Sequence, residues 1–207
     1  MAYLILVRHG ESVWNAKGLW TGWTDVSLSE KGREEGKKAG SALKDIKIGI
    51  AYTSKLKRAS ETLDEILKEL NLKIPVIKNE ALNEKNYGDY TGRNKWEIKK
   101  ELGEDEFQKI RRSWDYPIPN GESLKDVYER VVPYYRNEIL PELISGKNVI
   151  VSAHGNSLRA LVKYLDNISD EDISKLEIAT GEIYIYRFDE KGNILNKEIR
   201  LSRLNVV

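Results

Sequence analysis

Leu4-Ile5-Leu6-Val7-Arg8-His9-Gly10 and Val149-Ile150-Val151-Ser152-Ala153-His154-Gly155 repeat one pattern, a short and largely apolar run that ends in His-Gly. Apolar runs without alternation are what a strand buried on both faces of a parallel sheet requires. In an open α/β sheet the ligand crevice lies outside the carboxyl ends of such strands. Two strands that each end in His-Gly are therefore expected to bring both imidazoles to one edge of the sheet. Glycine after each histidine lets the backbone turn sharply, or lets a ligand approach closely. The chain has no other histidine.

Outward from these two runs, strand and helix patterns alternate, as in an α/β domain. Ser29 is placed to cap a helix running to about Leu43. Gly32, Gly36 and Gly40 share one face of it, which points to close packing there; the alternative is a helix that simply carries the glycine penalty of about 1 kcal/mol each. Residues 48–53 read as a second strand, Leu56 to Leu70 as a helix on apolar spacing, and 74–77 as a third strand. The stretch from Asn79 to Asn120 is rich in Asn, Gly, Lys and aromatics. It reads as an insertion over the sheet edge with two short helices, near 94–102 and 104–114, where function usually sits. Ser123 caps a long helix in which Pro133 predicts a kink or break. A strand at 148–152 and a helix at 157–165 follow. Residues 183–188 and 194–201 alternate around Asp189-Glu190-Lys191-Gly192 as a hairpin. Neither an internal repeat nor a linker is visible, so one domain spanning 1–207 is expected.

Composition narrows the function classes. Hydrophobic residues make up 40% and charged residues 32%, which suits a folded core. With no cysteine, disulfides, thiolate metal sites and cysteine nucleophiles are excluded. Thirty-four basic residues balance 33 acidic ones, a net charge of +1 that supports neither a nucleic-acid partner nor a strong global field. The first residues lack the basic region and cleavage site of a signal peptide, and no run approaches a membrane span. A cytoplasmic enzyme without a membrane partner is expected. Two histidines without a third ligand at short spacing fall short of a zinc site, so no metal is expected.

An anion site must then be local. Arginine offers a rigid fork for phosphate oxygens, and histidine nitrogen can carry a covalent group. Arg58 falls early in its helix, just past the second strand, where free backbone N–H groups also favour an anion. Arg8 and Arg58 on the oxygens of one phosphoryl group, one histidine as nucleophile and the other as donor, make a coherent cradle.

These residues also carry a family pattern. Leu6-Val7-Arg8-His9-Gly10-Glu11-Ser12 with Trp14-Asn15 resembles the histidine phosphatase superfamily, and within it the cofactor-dependent phosphoglycerate mutases. Thr21-Gly22-Trp23, Leu28-Ser29-Glu30-Lys31-Gly32, Lys57-Arg58-Ala59, Leu82-Asn83-Glu84 with Tyr87-Gly88, Asn94-Lys95, Arg111-Arg112 and Ala153 to Leu161 are similar to the mutase pattern. The Arg-His-Gly motif is shared by phosphatases of many specificities; the Leu-Asn-Glu…Tyr-Gly segment and the double arginine point to mutases. The resemblance implies a three-layer α/β/α sandwich with a mostly parallel central sheet. It implies His9 as the residue phosphorylated, with Arg8, Arg58 and His154 holding the transferring group, helped by the Gly155 backbone, and Glu84 as general acid and base. It implies Asn15, Thr21, Gly22, Tyr87, Lys95, Arg111, Arg112 and Asn156 as contacts for the two ends of a small phosphoglycerate. The priming phosphoryl donor it implies is 2,3-bisphosphoglycerate, again with no metal.

Three departures accompany the resemblance. Only Ser113 to Gly121 separate Arg112 from Glu122, as in short members, and that compact linkage is also common in phosphatases. Gly181-Glu182-Ile183 stands where mutases often show Gly-Val-Pro. Little follows the last strand, so a long tail that closes the site is expected to be absent or abbreviated, and monomer and dimer both remain open. A phosphomonoesterase of the same fold and a non-catalytic interaction module are the rival readings.

Overall fold

The computed structural model describes residues 1–201 of the 207. The expectation about an abbreviated tail falls on the residues that follow and lies outside the described ones. Six strands form one sheet in the order β3-β2-β4-β1-β5-β6. They are β1 (Ala2–Arg8), β2 (Ile50–Thr53), β3 (Val76–Lys78), β4 (Val149–Ala153), β5 (Glu182–Phe188) and β6 (Ile194–Leu201). The first four are mutually parallel, while β5 runs antiparallel to β1 and pairs with β6 as the expected hairpin.

The pleat sends alternate residues of β1 to opposite faces. Ala2, Leu4 and Leu6 join Tyr52, Val149 and Val151 in one core, packed against α6 (Leu124–Tyr134) and α8 (Gly155–Leu165). Ile5 and Val7 join Ala51 and Ile150 in a second, packed against α2 (Glu30–Ser41) and α3 (Lys57–Glu69). Helices on both faces of the sheet make the three-layer α/β/α sandwich.

Ser29 caps α2, its hydroxyl accepting from Gly32 N. The glycine stripe on α2 is a packing device. A Cβ on Gly36 would sit 2.9 Å from the Glu65 Cβ, and one on Gly40 2.8 Å from the Glu69 Cβ, so α2 and α3 approach too closely for alanine. The third strand is shorter and later than 74–77, because Pro75 contributes only its carbonyl, accepting from Ala51 N, and regular pairing starts at Val76. The irregularity predicted at Pro133 lies further along. Pro133 is accommodated inside α6, and the distortion is a π-helical turn over Tyr135–Ile139, closed where Leu140 N donates to Tyr135 O. That widened turn comes just before Pro141, which lacks the N–H needed to continue an α-helical ladder into α7 (Leu140–Ile144).

The segment between β3 and α6 carries α4 (Lys95–Leu102) and α5 (Glu104–Arg112). It encloses its own small core of Trp20, Ile98, Phe107, Ile110 and Ile118. Its second helix stops at Arg112 rather than near Trp114. Among the described residues no helix is long and apolar enough to cross a membrane.

Candidate active site

The two His-Gly strand ends are neighbours. β1 and β4 run in register from Leu4↔Val149 to Arg8↔Ala153, and His9 N extends the ladder by donating to Ala153 O at 2.9 Å. The rings that follow lie 4.9 Å apart, edge to face. His9 is 2% exposed and His154 fully buried.

Each ring is oriented through one nitrogen. His9 Nδ1 lies 2.6 Å from Gly10 O. A carbonyl only accepts, so Nδ1 carries the hydrogen and Nε2 keeps its lone pair. His154 Nε2 lies 2.7 Å from Ser54 Oγ, and its Nδ1 is buried without a partner. Burial, then the charges of Arg58 and Arg8, hold the His9 imidazole well below its ordinary range. Burial, then Arg58 and His9, do the same to His154. Both rings are neutral near pH 7, the state a nucleophile needs.

The glycine after His9 serves a different end from ligand approach. A Cβ on Gly10 would meet Gly32 O at 2.3 Å, so the residue lets the His9 turn nest against the first turn of α2. Gly155 fits the ligand reading better, since a Cβ there would meet Arg8 Cζ at 3.4 Å and Glu84 Oε2 at 3.7 Å, among pocket-lining groups.

One pocket gathers Arg8, His9, Asn15, Thr21, Gly22, Arg58, Glu84, Tyr87, Lys95, Arg111, Arg112, Gly155 and Asn156. Of the residues predicted from sequence only His154 is absent from its lining, lying behind the surface against His9. The Arg58 guanidinium is 1% exposed and donates to Gly22 O and Thr24 O, with burial lowering its pKa to about 10. Glu84 Oε1 accepts from Lys85 N and Asn156 N, at 2.8 and 3.0 Å. The turn beneath it is pinned by Arg130, whose guanidinium donates to the carbonyls of Ala81, Asn83 and Glu84 and pairs with Glu122. Asn156 also donates to the Tyr87 hydroxyl at 2.9 Å. Asn15 uses its Oδ1 to close the capping box on Ser12 at the start of α1 (Val13–Ala16).

Lys95, Arg111 and Arg112 form a second cationic group, placed by the first turn of α4 and the last turn of α5. Burial, then Arg8 and Arg111, bring the Lys95 ammonium down to about 8, and burial also lowers Arg111. So many cations facing one another in a half-dry pocket are stable only if an anion balances them. Arg8 Nε and Thr21 Oγ1 share with His154 Nδ1 the condition of being buried without a partner.

Four lining residues were missed from sequence: Trp20, Arg159, Glu177 and Ile178. Arg159 is 3% exposed and brackets the wall, donating to Leu176 O, Arg112 O, Ile173 O, Asn156 Oδ1 and, at 3.4 Å, Arg111 O. Its spacing from Asn156 puts the two on one face of α8, a signal that could have singled it out. Lys85, also passed over, is 1% exposed and donates to Ile110 O at 2.7 Å.

The comparisons agree with this geometry. The chain is 49% identical to the 2,3-bisphosphoglycerate-dependent phosphoglycerate mutase of Parvibaculum lavamentivorans, covering 97% of each. It is 47% identical to the phosphoglycerate mutase of Schizosaccharomyces pombe, covering 95% of this chain and 94% of that one. Among solved structures, Bacillus stearothermophilus YhfR superposes with a TM-score of 0.82 at 27% identity, covering 94% of both chains. A putative alpha-ribazole-5'-P phosphatase from Escherichia coli gives 0.78 at 25%, covering 97% of this chain and 95% of that one. Residues 4–198 match the family model of the histidine phosphatase superfamily (branch 1). With both imidazoles at adjacent strand ends and that match across nearly its whole length, the chain belongs to the histidine phosphatase superfamily, branch 1.

Proposed function

We propose that this protein interconverts 3-phosphoglycerate and 2-phosphoglycerate in glycolysis and gluconeogenesis, as a single cytoplasmic catalytic domain working through a phosphorylated His9. The observation that carries the reading is the surplus of cations in one pocket. Beside His9, Arg8 and Arg58, Lys95, Arg111 and Arg112 supply a second positive group that a simple phosphomonoester would not require. The mutases that share about half of its sequence support the same reading.

His9 Nε2 attacks phosphorus in line, because Nδ1 is committed to Gly10 O. Arg8 and Arg58 take the non-bridging oxygens. Ser54 Oγ accepts from Leu56 N and turns its own hydrogen to His154 Nε2, so the neutral His154 carries its hydrogen on the otherwise unpartnered Nδ1 and donates a hydrogen bond from it to a phosphoryl oxygen, keeping the proton. Glu84, oriented by two backbone amides, takes the proton of the substrate hydroxyl as that hydroxyl accepts the phosphoryl group from Nε2. The reverse transfer, from the other carbon back to Nε2, has Glu84 return the proton. Lys95, Arg111 and Arg112 hold the far end of the substrate, with Asn15, Thr21, Gly22, Tyr87, Gly155 and Asn156 completing the pocket. The unpaired donors Arg8 Nε, Thr21 Oγ1 and His154 Nδ1 fit a doubly phosphorylated carboxylate. When bound, 2,3-bisphosphoglycerate supplies the phosphoryl group that primes His9.

Incubation with 3-phosphoglycerate, with and without 2,3-bisphosphoglycerate, tests the reading. Primed formation of 2-phosphoglycerate, lost in His9→Ala with the fold retained, is the expected result. Free phosphate as the dominant product would make the protein a phosphatase, and normal turnover in His9→Ala would end the covalent mechanism.

A further inference from the structure

Residues Ile173 to Ile178 close one side of the pocket, and arginines fasten them there. Arg8 donates to Ile178 O, Arg159 to Ile173 O and Leu176 O, and Arg112 to Leu176 O at 3.3 Å. Arg112 also makes an ion pair, its Nη2 lying 2.7 Å from the Glu177 carboxylate. The Arg112 side chain is 16% exposed and the Glu177 side chain 62%. A cation seated in the pocket wall is therefore engaged by a carboxylate that reaches in from solvent. Arg112, with Arg111 and Arg8 behind it, holds the Glu177 carboxyl below its ordinary range.

We propose that Glu177 is a displaceable counter-anion for the substrate-carboxylate site, holding Arg112 between turnovers and exchanging for the carboxylate of the incoming ligand. The inference rests on reading Arg112 as a contact for the carboxylate end of a phosphoglycerate. Exchange of one carboxylate for another keeps the number of ion pairs at Arg112 constant, so a highly anionic ligand is bound without being held too tightly to leave. A phosphomonoester without a carboxylate leaves the Arg112–Glu177 pair closed and gains nothing from Arg112.

The test is calorimetric titration of the unphosphorylated protein with 3-phosphoglycerate and with glycerol 3-phosphate, which lacks the carboxylate. Glu177→Gln keeps the shape and removes the competing charge. An exposed carboxylate makes a weak ion pair, so the gain expected in 3-phosphoglycerate affinity is about two- to five-fold, shrinking with added salt, while glycerol 3-phosphate binds as before. An equal gain for both ligands, or no gain for either, overturns the proposal. Arg112→Met separates it from the reading beneath it. If that variant weakens both ligands alike, the carboxylate assignment fails and the proposal with it. If it weakens 3-phosphoglycerate selectively while Glu177→Gln changes nothing, the assignment stands and only the counter-anion role falls.

Discussion

Replacing Arg159 by methionine should disable the pocket without touching either histidine. Its guanidinium donates four bonds of 3.0 Å or shorter, to Leu176 O, Asn156 Oδ1, Arg112 O and Ile173 O. Methionine matches much of its length and supplies no donor, so four acceptors lose their partner. At a net value of about 1 kcal/mol per bond, the loss is about 4 kcal/mol. A domain of this size has a stability of roughly 5–15 kcal/mol, so the variant still folds. Its midpoint of thermal unfolding should fall by roughly 8–16 °C. The functional loss is directional. The freed carbonyl of Arg112 lies at the end of α5, and Ile173 and Leu176 belong to the opposing wall, so the far end of the pocket loosens. The phosphoryl end, built on β1, β4 and α3, meets that wall only where Arg8 donates to Ile178 O, a bond that Arg159 does not make. Affinity for 3-phosphoglycerate should drop by about ten-fold, equivalent to about 1.4 kcal/mol, while inorganic phosphate binding changes less than two-fold. Lysine at the position should restore little, since a point charge cannot serve acceptors spread around a planar fork. A variant that melts within 2 °C of the parent and binds 3-phosphoglycerate normally would refute the bracket.

Two further outcomes follow from the packing and the buried charges. Gly32→Ala places a Cβ 2.0 Å from Glu11 O, and should cost about 1–3 kcal/mol in overpacking and lower kcat by shifting the His9 turn; unchanged kcat and melting would show that the turn yields freely. Burial lowers the Lys85 ammonium to about 7, with the Arg159 charge adding to the effect. Between that value and its unfolded pKa the unfolded chain binds the extra proton, so stability should rise with pH from about 7 to 9.5, by up to about 1.4 kcal/mol per unit from this group. Denaturant titrations of Lys85→Met should show a flatter profile over that window, and an identical slope would place the neutral form elsewhere.

Much of this architecture was readable because a few residues carry outsized information. A strand that ends in His-Gly twice over declares both its burial and the edge where it stops, and the parallel register then sets the rings side by side. Lys95, Arg111 and Arg112 were legible through the resemblance, and Arg8 and Arg58 also through their positions, one beside His9 at the end of β1 and the other just past β2. Arg159 and Lys85 were not, because a buried cation that serves backbone carbonyls has no local signature distinguishing it from a solvated one. The choice between a sharp turn and ligand approach at Gly10 stayed open for a related reason: its neighbour is the backbone of Gly32, a long-range contact that only the folded layers create. The distortion after Pro133 depended on a second proline downstream, and a helix absorbs such a pair wherever its ladder is cheapest to open.

The placement of β1 sets when the protein can become active during its own synthesis. That strand leaves the ribosome before the rest of the sheet, yet its two edges are completed by strands beginning at Val149 and Glu182. Until Val149 has emerged a nascent chain carries His9 with neither neighbour in place, and the long loops that must close make assembly of the centre a late event. A chain that ended before Val149 would carry His9 but neither strand that flanks β1, and so would lack the sheet edge that sets the His9 ring beside His154.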